Sequence, residues 1–217
     1  LKNGEKENHQ SLCFPGEVEH DAGRMESPDA YQFLDYGMDL YAPQTTLDRE
    51  GRRVLSAWVR MPKVTDEGWI GMFSTPRVVE MEDGHIFFRM HPNVRAAYSE
   101  EIPAGSQRAQ DGYLISLDLE DGEELDVGGF VIRREGDRIC TDRSAVFPSF
   151  PGAHLRSETP ALKGGCHLDV VVDKDLVEVF VNEGECVISN AVYGLEDKIG
   201  CSGEGKKMRM HIFSAQR

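Results

Sequence analysis

Apolar and polar residues alternate along most of this chain. Between residues 167 and 173, Leu168, Val170 and Val172 alternate with His167, Asp169 and Val171. After Asp173-Lys174-Asp175, Val177, Val179 and Val181 alternate with Glu178, Phe180 and Asn182. A period of two is that of a pleated strand. The pattern predicts a hairpin with one face buried, and Glu183-Gly184 opens the next turn. Similar units recur, with turns over residues 48–51, at Asp83-Gly84, near Asp121-Gly122 and over residues 135–137. No segment keeps a 3.6-residue period between caps, and 22 Gly and 10 Pro punctuate the chain. The expected class is all-β, a sandwich or a propeller.

A boundary is expected at His91-Pro92-Asn93. Pro92 cannot donate to a ladder, and the following stretch lacks alternation, reading as a connector or short helix. Residues 1–91 would then hold about two propeller blades' worth of strands, and residues 92–217 a sandwich. A propeller needs at least about four blades, so the first part cannot close by itself.

The formal net charge is −14 over 217 residues. Residues 1–91 hold 10 Lys and Arg against 16 Asp and Glu, and the remainder 14 against 22, so the acidity is spread evenly. Such a field repels phosphate polymers and anionic bilayers, which argues against nucleic acid and membrane as partners. A neutral sugar is indifferent to it. No run of about 18 apolar residues is present, and the first ten residues lack the apolar core of a signal peptide. The five cysteines, Cys13, Cys140, Cys166, Cys186 and Cys201, form no CxxC pair. They are expected as thiols, mostly buried, in a reducing compartment such as the cytoplasm. No cofactor and no metal site is expected.

Five segments carry a resemblance. DYGMDLYAPQ at residues 35–44 is similar to D-G-x-D-F-Y-A-x-Q, with Leu40 in place of Phe. GRRVLSAWV at 51–59, GWIGMFSTPR at 68–77, DRICTDRSAVF at 137–147 and VVVDKDLVEVFVNEGE at 170–185 follow in order. Together they resemble glycoside hydrolase family 32, the β-fructofuranosidases of the invertase, sucrose-6-phosphate hydrolase, levanase and inulinase types. The resemblance implies the last part of a five-bladed β-propeller followed by a C-terminal β-sandwich. It implies retaining hydrolysis of a terminal fructoside by two carboxyl groups about 5–5.5 Å apart.

The family's W-M-N-D-P-N-G, R-D-P and E-C motifs, which carry those carboxylates, do not occur in these 217 residues. Glu185-Cys186 lies in the sandwich hairpin and is a chance dipeptide. The chain is therefore expected to begin just after the acid/base motif, to hold no catalytic residue, and to need the upstream blades as its partner. What it can supply is substrate contacts. Tyr41 matches the family's Y-A-x-Q tyrosine and would face the propeller funnel. Asp39, two residues earlier, would share its side of the strand and orient it or bind a hydroxyl. Trp58 matches the G-x-x-x-W position and would wall a fructosyl pocket.

Trp69 is expected between blades or against the sandwich, Gln44 to hold the loop of Tyr41 by backbone bonds, and Asn8, His9 and Gln10 in a solvated loop, with the propeller funnel as the alternative. Arg52, Arg53 and Arg60 are the candidates for a phosphate site. Glu178 and Asn182 are expected to be structural. A different class of function is a carbohydrate-binding or assembly module without turnover. A second copy of the chain stays among the candidate partners.

Overall fold

The computed structural model describes residues 11–26, 31–103, 112–203 and 208–213. Asn8, His9 and Gln10 lie outside the described residues. The first part opens with β1 (Leu12–Cys13), β2 (Glu17–Glu19), β3 (Arg24–Glu26) and β4 (Gln32–Phe33), which form two small antiparallel ladders, β1 with β4 and β2 with β3. One larger antiparallel sheet follows. It contains β5 (Leu40–Leu47), β6 (Arg53–Val59), β7 (Met72–Phe73), β8 (Arg77–Glu82) and β9 (His85–Met90), in the order β5-β6-β8-β9 with β7 on β6. Its hairpin turns fall at residues 48–51 and at Asp83-Gly84, where alternation breaks in the sequence.

A short helix, α1 (Pro92–Ala97), starts at the expected connector. Pro92 suits a first helical position because its missing N–H has no acceptor there. His91 caps it, its Nδ1 accepting from Asn93 N.

The second part holds β10 (Glu100–Ile102), β11 (Tyr113–Asp118), β12 (Glu124–Val127), β13 (Phe130–Glu135), β14 (Arg138–Asp142) and β15 (Arg156–Glu158). It continues with β16 (His167–Asp173), β17 (Leu176–Val181), β18 (Cys186–Ala191), β19 (Ile199–Cys201) and β20 (Arg209–Ile212). Two sheets result, β10-β20-β11-β16-β17-β18 and β15-β14-β13-β12-β19. Between them sits a core of Ile115, Leu125, Phe130, Ile132, Ile139, Leu168, Val170, Val179 and Ile188, each fully enclosed. Among the described residues the chain is all-β apart from α1 and a single 3₁₀ turn at Asn182–Gly184.

Two expectations are corrected. The turn at Asp121-Gly122 does not close a hairpin: β11 pairs with β16 and β20, while β12 pairs with β13 and β19. The chain crosses there from one sheet to the other, and Leu119 N donates to Cys166 O on the way. The hairpin of β16 and β17 is also not buried on one face alone, since every residue of β17 and β18 is buried. The second face packs on the first part. Val171, Phe180 and Val187 join Leu34, Leu40, Leu55, Ala57 and Phe88 in one apolar cluster. The six-stranded sheet is therefore the middle layer of three.

The polar residues of that middle face are buried with it. Glu178 accepts from Thr75 N at 2.6 Å and from Arg77 at 2.7 Å, and Asp35 accepts from Ser189 N and Ser189 Oγ. Gly37 lies so close that a Cβ there would stand 2.0 Å from Ser189 O. Glu178 is thus structural, as is Asn182, whose side chain accepts from His167 N and donates to Glu185.

No disulfide links the five cysteines. Cys166 and Cys186 are buried and the other three half-buried, so fewer are enclosed than expected. Burial pushes the Cys186 thiol up to about 12.

Candidate functional site

The face of the first sheet turned away from the sandwich carries a row of aromatic rings. Along β6, Leu55, Ala57 and Val59 point toward the sandwich, and the alternation sends Trp58 the other way. Tyr41 on β5 and Phe73 on β7 are the register partners of Trp58 on either side. Directly opposed residues share a face, so three aromatics stand side by side across three strands. Tyr41 is 38 % exposed, Trp58 44 % and Phe73 81 %. Tyr41 and Trp58 meet edge to face, with centroids 6.1 Å apart at 73°, a favoured arrangement for ring quadrupoles.

Local sequence sets this geometry. Between Tyr41 and Gln44 the register shifts, so β5 spends one residue more than β6. Ala42 takes up the bulge at φ 48°, and Pro43 sits where no ladder donor is needed. Bulges re-aim side chains, and here Tyr41 stands at the bend. Gly71 lies beneath the indole of Trp58: a Cβ there would come within 2.2 Å of Nε1, and φ is +86°. Arg60, just past β6, places its guanidinium 5.1 Å from the Tyr41 centroid and donates to Met38 O.

Asp39 has a different environment from Tyr41. It is only 8 % exposed and is gripped by Arg143 of the sandwich. Both terminal nitrogens of Arg143 donate to the Asp39 carboxylate, and Ala191 N donates to it at 2.8 Å. The backbone O of Asp39 accepts from Arg60 N at 2.9 Å. The expectation that Asp39 and Tyr41 share one side of a strand is therefore corrected. Asp39 precedes β5, and its carboxylate belongs to the junction with the sandwich.

Trp69 packs on Val59, Met61, Phe147, Leu176 and Ala191, at the contact of the first sheet with the sandwich. Gln44 is exposed and pairs in register with Ser56. The three arginines do not gather. Arg52 is held by Asp48 and Glu50, Arg53 donates to Thr45, and Arg60 lies beyond the far end of β6, about 23 Å away at strand rise. They make no common basic pocket. Among the described residues no group of His, Cys, Asp and Glu could hold a metal ion.

Sequence reasoning missed Phe73 and Arg143. Phe73 is an aromatic in a two-residue strand whose pairing with Trp58 depends on a loop of 12 residues between β6 and β7. Arg143 stands 104 residues from its partner.

Residues 2–92 match the model for the glycosyl hydrolases family 32 N-terminal domain, and residues 112–214 the model for the glycosyl hydrolases family 32 C terminal. Sucrose-6-phosphate hydrolase of Vibrio alginolyticus is 30 % identical over 204 residues, covering 86 % of this chain and 37 % of that protein. Raffinose invertase of Escherichia coli is 31 % identical over 187 residues, covering 77 % and 39 %. Among solved structures, sucrose-6-phosphate hydrolase from Lactobacillus gasseri superposes with a TM-score of 0.76 at 21 % identity, over 91 % of this chain and 46 % of that one. The Bombyx mori GH32 beta-fructofuranosidase gives 0.73 at 19 %, over 94 % and 46 %. The chain spans about two fifths of the length of these curated relatives. With both family models matched in chain order and the fold shared, this chain belongs to glycosyl hydrolase family 32.

Proposed function

We propose that this chain is the C-terminal part of a retaining β-fructofuranosidase acting on a sucrose-type fructoside. Residues 1–91 would be the last blade or blades of a five-bladed propeller, and residues 92–217 the sandwich. The upstream blades would bring the nucleophile and the acid/base. This chain would bring Tyr41 and Trp58 to the sugar, with Asp39 acting from behind through the backbone it anchors. The cellular setting would be the cytoplasm.

The row of Tyr41, Trp58 and Phe73 is the observation that carries this reading. Exposed rings on a pre-set face suit the apolar CH faces of a furanose, and the edge of Tyr41 brings a hydroxyl for its oxygens. A neutral substrate also fits a chain with 14 excess negative charges. These residues would supply neither the nucleophile nor the acid. In a retaining glycosidase those two carboxyl groups sit about 5–5.5 Å apart and work as one unit, and the contacts around them bind and orient the sugar.

Reducing-sugar release from sucrose tests the reading. The 217-residue chain is expected to be inert, and a protein carrying it behind the missing propeller blades is expected to turn over. Turnover by the chain alone would overturn the proposal. A whole protein that binds a fructoside without cleaving it would favour the non-catalytic module.

A further inference from the structure

One buried side chain of the sandwich, Arg143, is bonded to the segment that leads into the aromatic row. Arg143 is 2 % exposed and carries its charge in an enclosed site. Its Nε donates to His154 O at 2.8 Å and one terminal nitrogen to Ala191 O at 2.9 Å, while the guanidinium lies 3.5 Å from the Phe147 centroid. Every side of the fork is therefore occupied, and its open edge faces the Asp39 carboxylate. Asp39 in turn fixes the first backbone bond beyond the β5–β6 ladder, Arg60 N to Asp39 O, two residues from Tyr41. Arg60 carries the constraint on to the Tyr41 ring, against which Trp58 packs.

The geometry points to Arg143 as a positioning residue for the aromatic row: the sandwich holds Tyr41 and Trp58 in place through Arg143, Asp39 and Arg60. This rests on the fructoside reading only for its consequence in catalysis. The mechanical link stands on the contacts alone. It gives the second part of the chain a task at the site and not merely beneath it. A lysine at 143 would keep the charge but lose the planar fork that grips both carboxylate oxygens while Nε holds His154.

The control is a second buried arginine at the same junction. Arg77 is fully enclosed and pairs with Asp35 and Glu178, yet none of its contacts reaches Asp39, Arg60 or Tyr41. A purely structural role predicts that both arginines behave alike.

The test uses the 217-residue chain carrying Trp69→Phe, which leaves Trp58 as its one tryptophan. Emission maximum and steady-state anisotropy are then compared for Arg143→Lys and Arg77→Lys at equal protein concentration. Arg143→Lys is expected to lower the anisotropy and redden the emission of Trp58, and Arg77→Lys to leave both unchanged while lowering the unfolding temperature. An unchanged Trp58 signal in Arg143→Lys, or an equal change in Arg77→Lys, overturns the inference.

In a protein with the preceding blades, Arg143→Lys is expected to raise KM for sucrose about threefold to tenfold with kcat within about twofold, the split that marks lost uniform binding of the sugar by the displaced rings. Tyr41→Ala without effect on KM there would sink the fructoside reading and leave the link, read by Trp58 without any sugar, intact.

Discussion

Arg77 on β8 donates to Glu178 on β17 at 2.7 Å, across 101 residues of sequence and with neither side chain exposed. Asp35 lies on the other side of the guanidinium at 2.9 Å. Ser189 Oγ accepts from Arg77 and stands within hydrogen-bond distance of both carboxylates, to one of which at a time it gives its single proton. Burial pushes the Asp35 carboxyl up, with Arg77 and the Ser189 and Gly37 bonds working against it. Two carboxyl groups thus depend on one cation in a buried interface.

Removing that cation leaves both without a counter-charge. Breaking a buried pair from one side costs on the order of 3–5 kcal/mol, so Arg77→Met is expected to lose that much. Glu178→Gln keeps an acceptor for Thr75 N and leaves Asp35 to pair with Arg77, so it should cost less. Urea titrations of the two variants check the order. A loss below about 1 kcal/mol in Arg77→Met would place the network in solvent, since exposed pairs contribute no more than that.

Gly71 answers a different question, because its neighbour is the indole and not the backbone. Alanine at this position would meet Trp58 Nε1 at 2.2 Å and take an unfavourable positive φ. The ring can swing toward solvent, as it is already 44 % exposed. Gly71→Ala is therefore expected to cost about 1–2 kcal/mol of stability, mostly backbone strain, and to change the near-UV dichroism of Trp58. Gly37→Ala would instead meet the Ser189 carbonyl, which cannot move without opening the junction. It should cost more and leave the Trp58 band in place. Equal spectra for Gly71→Ala and the parent chain would show that Gly71 does not seat the ring.

How much of this was open to a reader of the sequence depends on the range of each interaction. The hairpins at Asp83-Gly84 and over residues 135–137 are local, and their turn residues and alternation lie side by side in the text. The Asp121-Gly122 turn has the same signature, but its flanking strands find partners elsewhere. Nothing within ten residues distinguishes a hairpin turn from a crossing between sheets. The second buried face of β16–β18 did leave a trace: Val171, Phe180 and Val187 are apolar at positions that a solvated face would fill with polar residues.

In the candidate site, Tyr41 and Trp58 are proposed from the family pattern. Phe73 joins them only through register, and the fate of Asp39 only through Arg143. A carboxylate two residues from a tyrosine reads as part of one surface until its distant partner is known.

Asp48 ties the β5–β6 turn to the connector. Its Oδ1 accepts from Glu50 N and Arg52 N, and its Oδ2 from Arg52 Nε at 2.6 Å and from His91 at 3.2 Å. Partial desolvation raises its pKa, but the bonds from Arg52 and His91 outweigh this and hold the carboxyl down at about 2, against an ordinary 3.8. A depressed folded pKa means that the unfolded chain takes up the proton first. The stabilisation is complete above the ordinary value and is lost as pH falls through 3.8 toward 2. Asp48→Asn should therefore melt below the parent chain at neutral pH, and the gap should narrow through this window. A gap that persists unchanged at pH 2 would assign the effect to geometry and not to charge.

The aromatic row also bears on how the chain behaves by itself. Phe73 is 81 % exposed and Ile70, three residues earlier in the chain, 54 %, and among the described residues β5 is the edge of its sheet with its outer face exposed. Exposed apolar surface at a sheet edge is a template for association. The 217-residue chain is therefore expected to dimerise or aggregate, and light scattering across a range of concentrations reads this directly. Phe73→Ser removes the most exposed ring and touches none of the buried clusters, so it should shift the chain toward monomer without lowering its unfolding temperature. If the row is also the surface on which the preceding blades close, joining those blades should suppress association more than Phe73→Ser does. A parent chain that stays monomeric at every concentration would show that this face is stable in water and needs no neighbour.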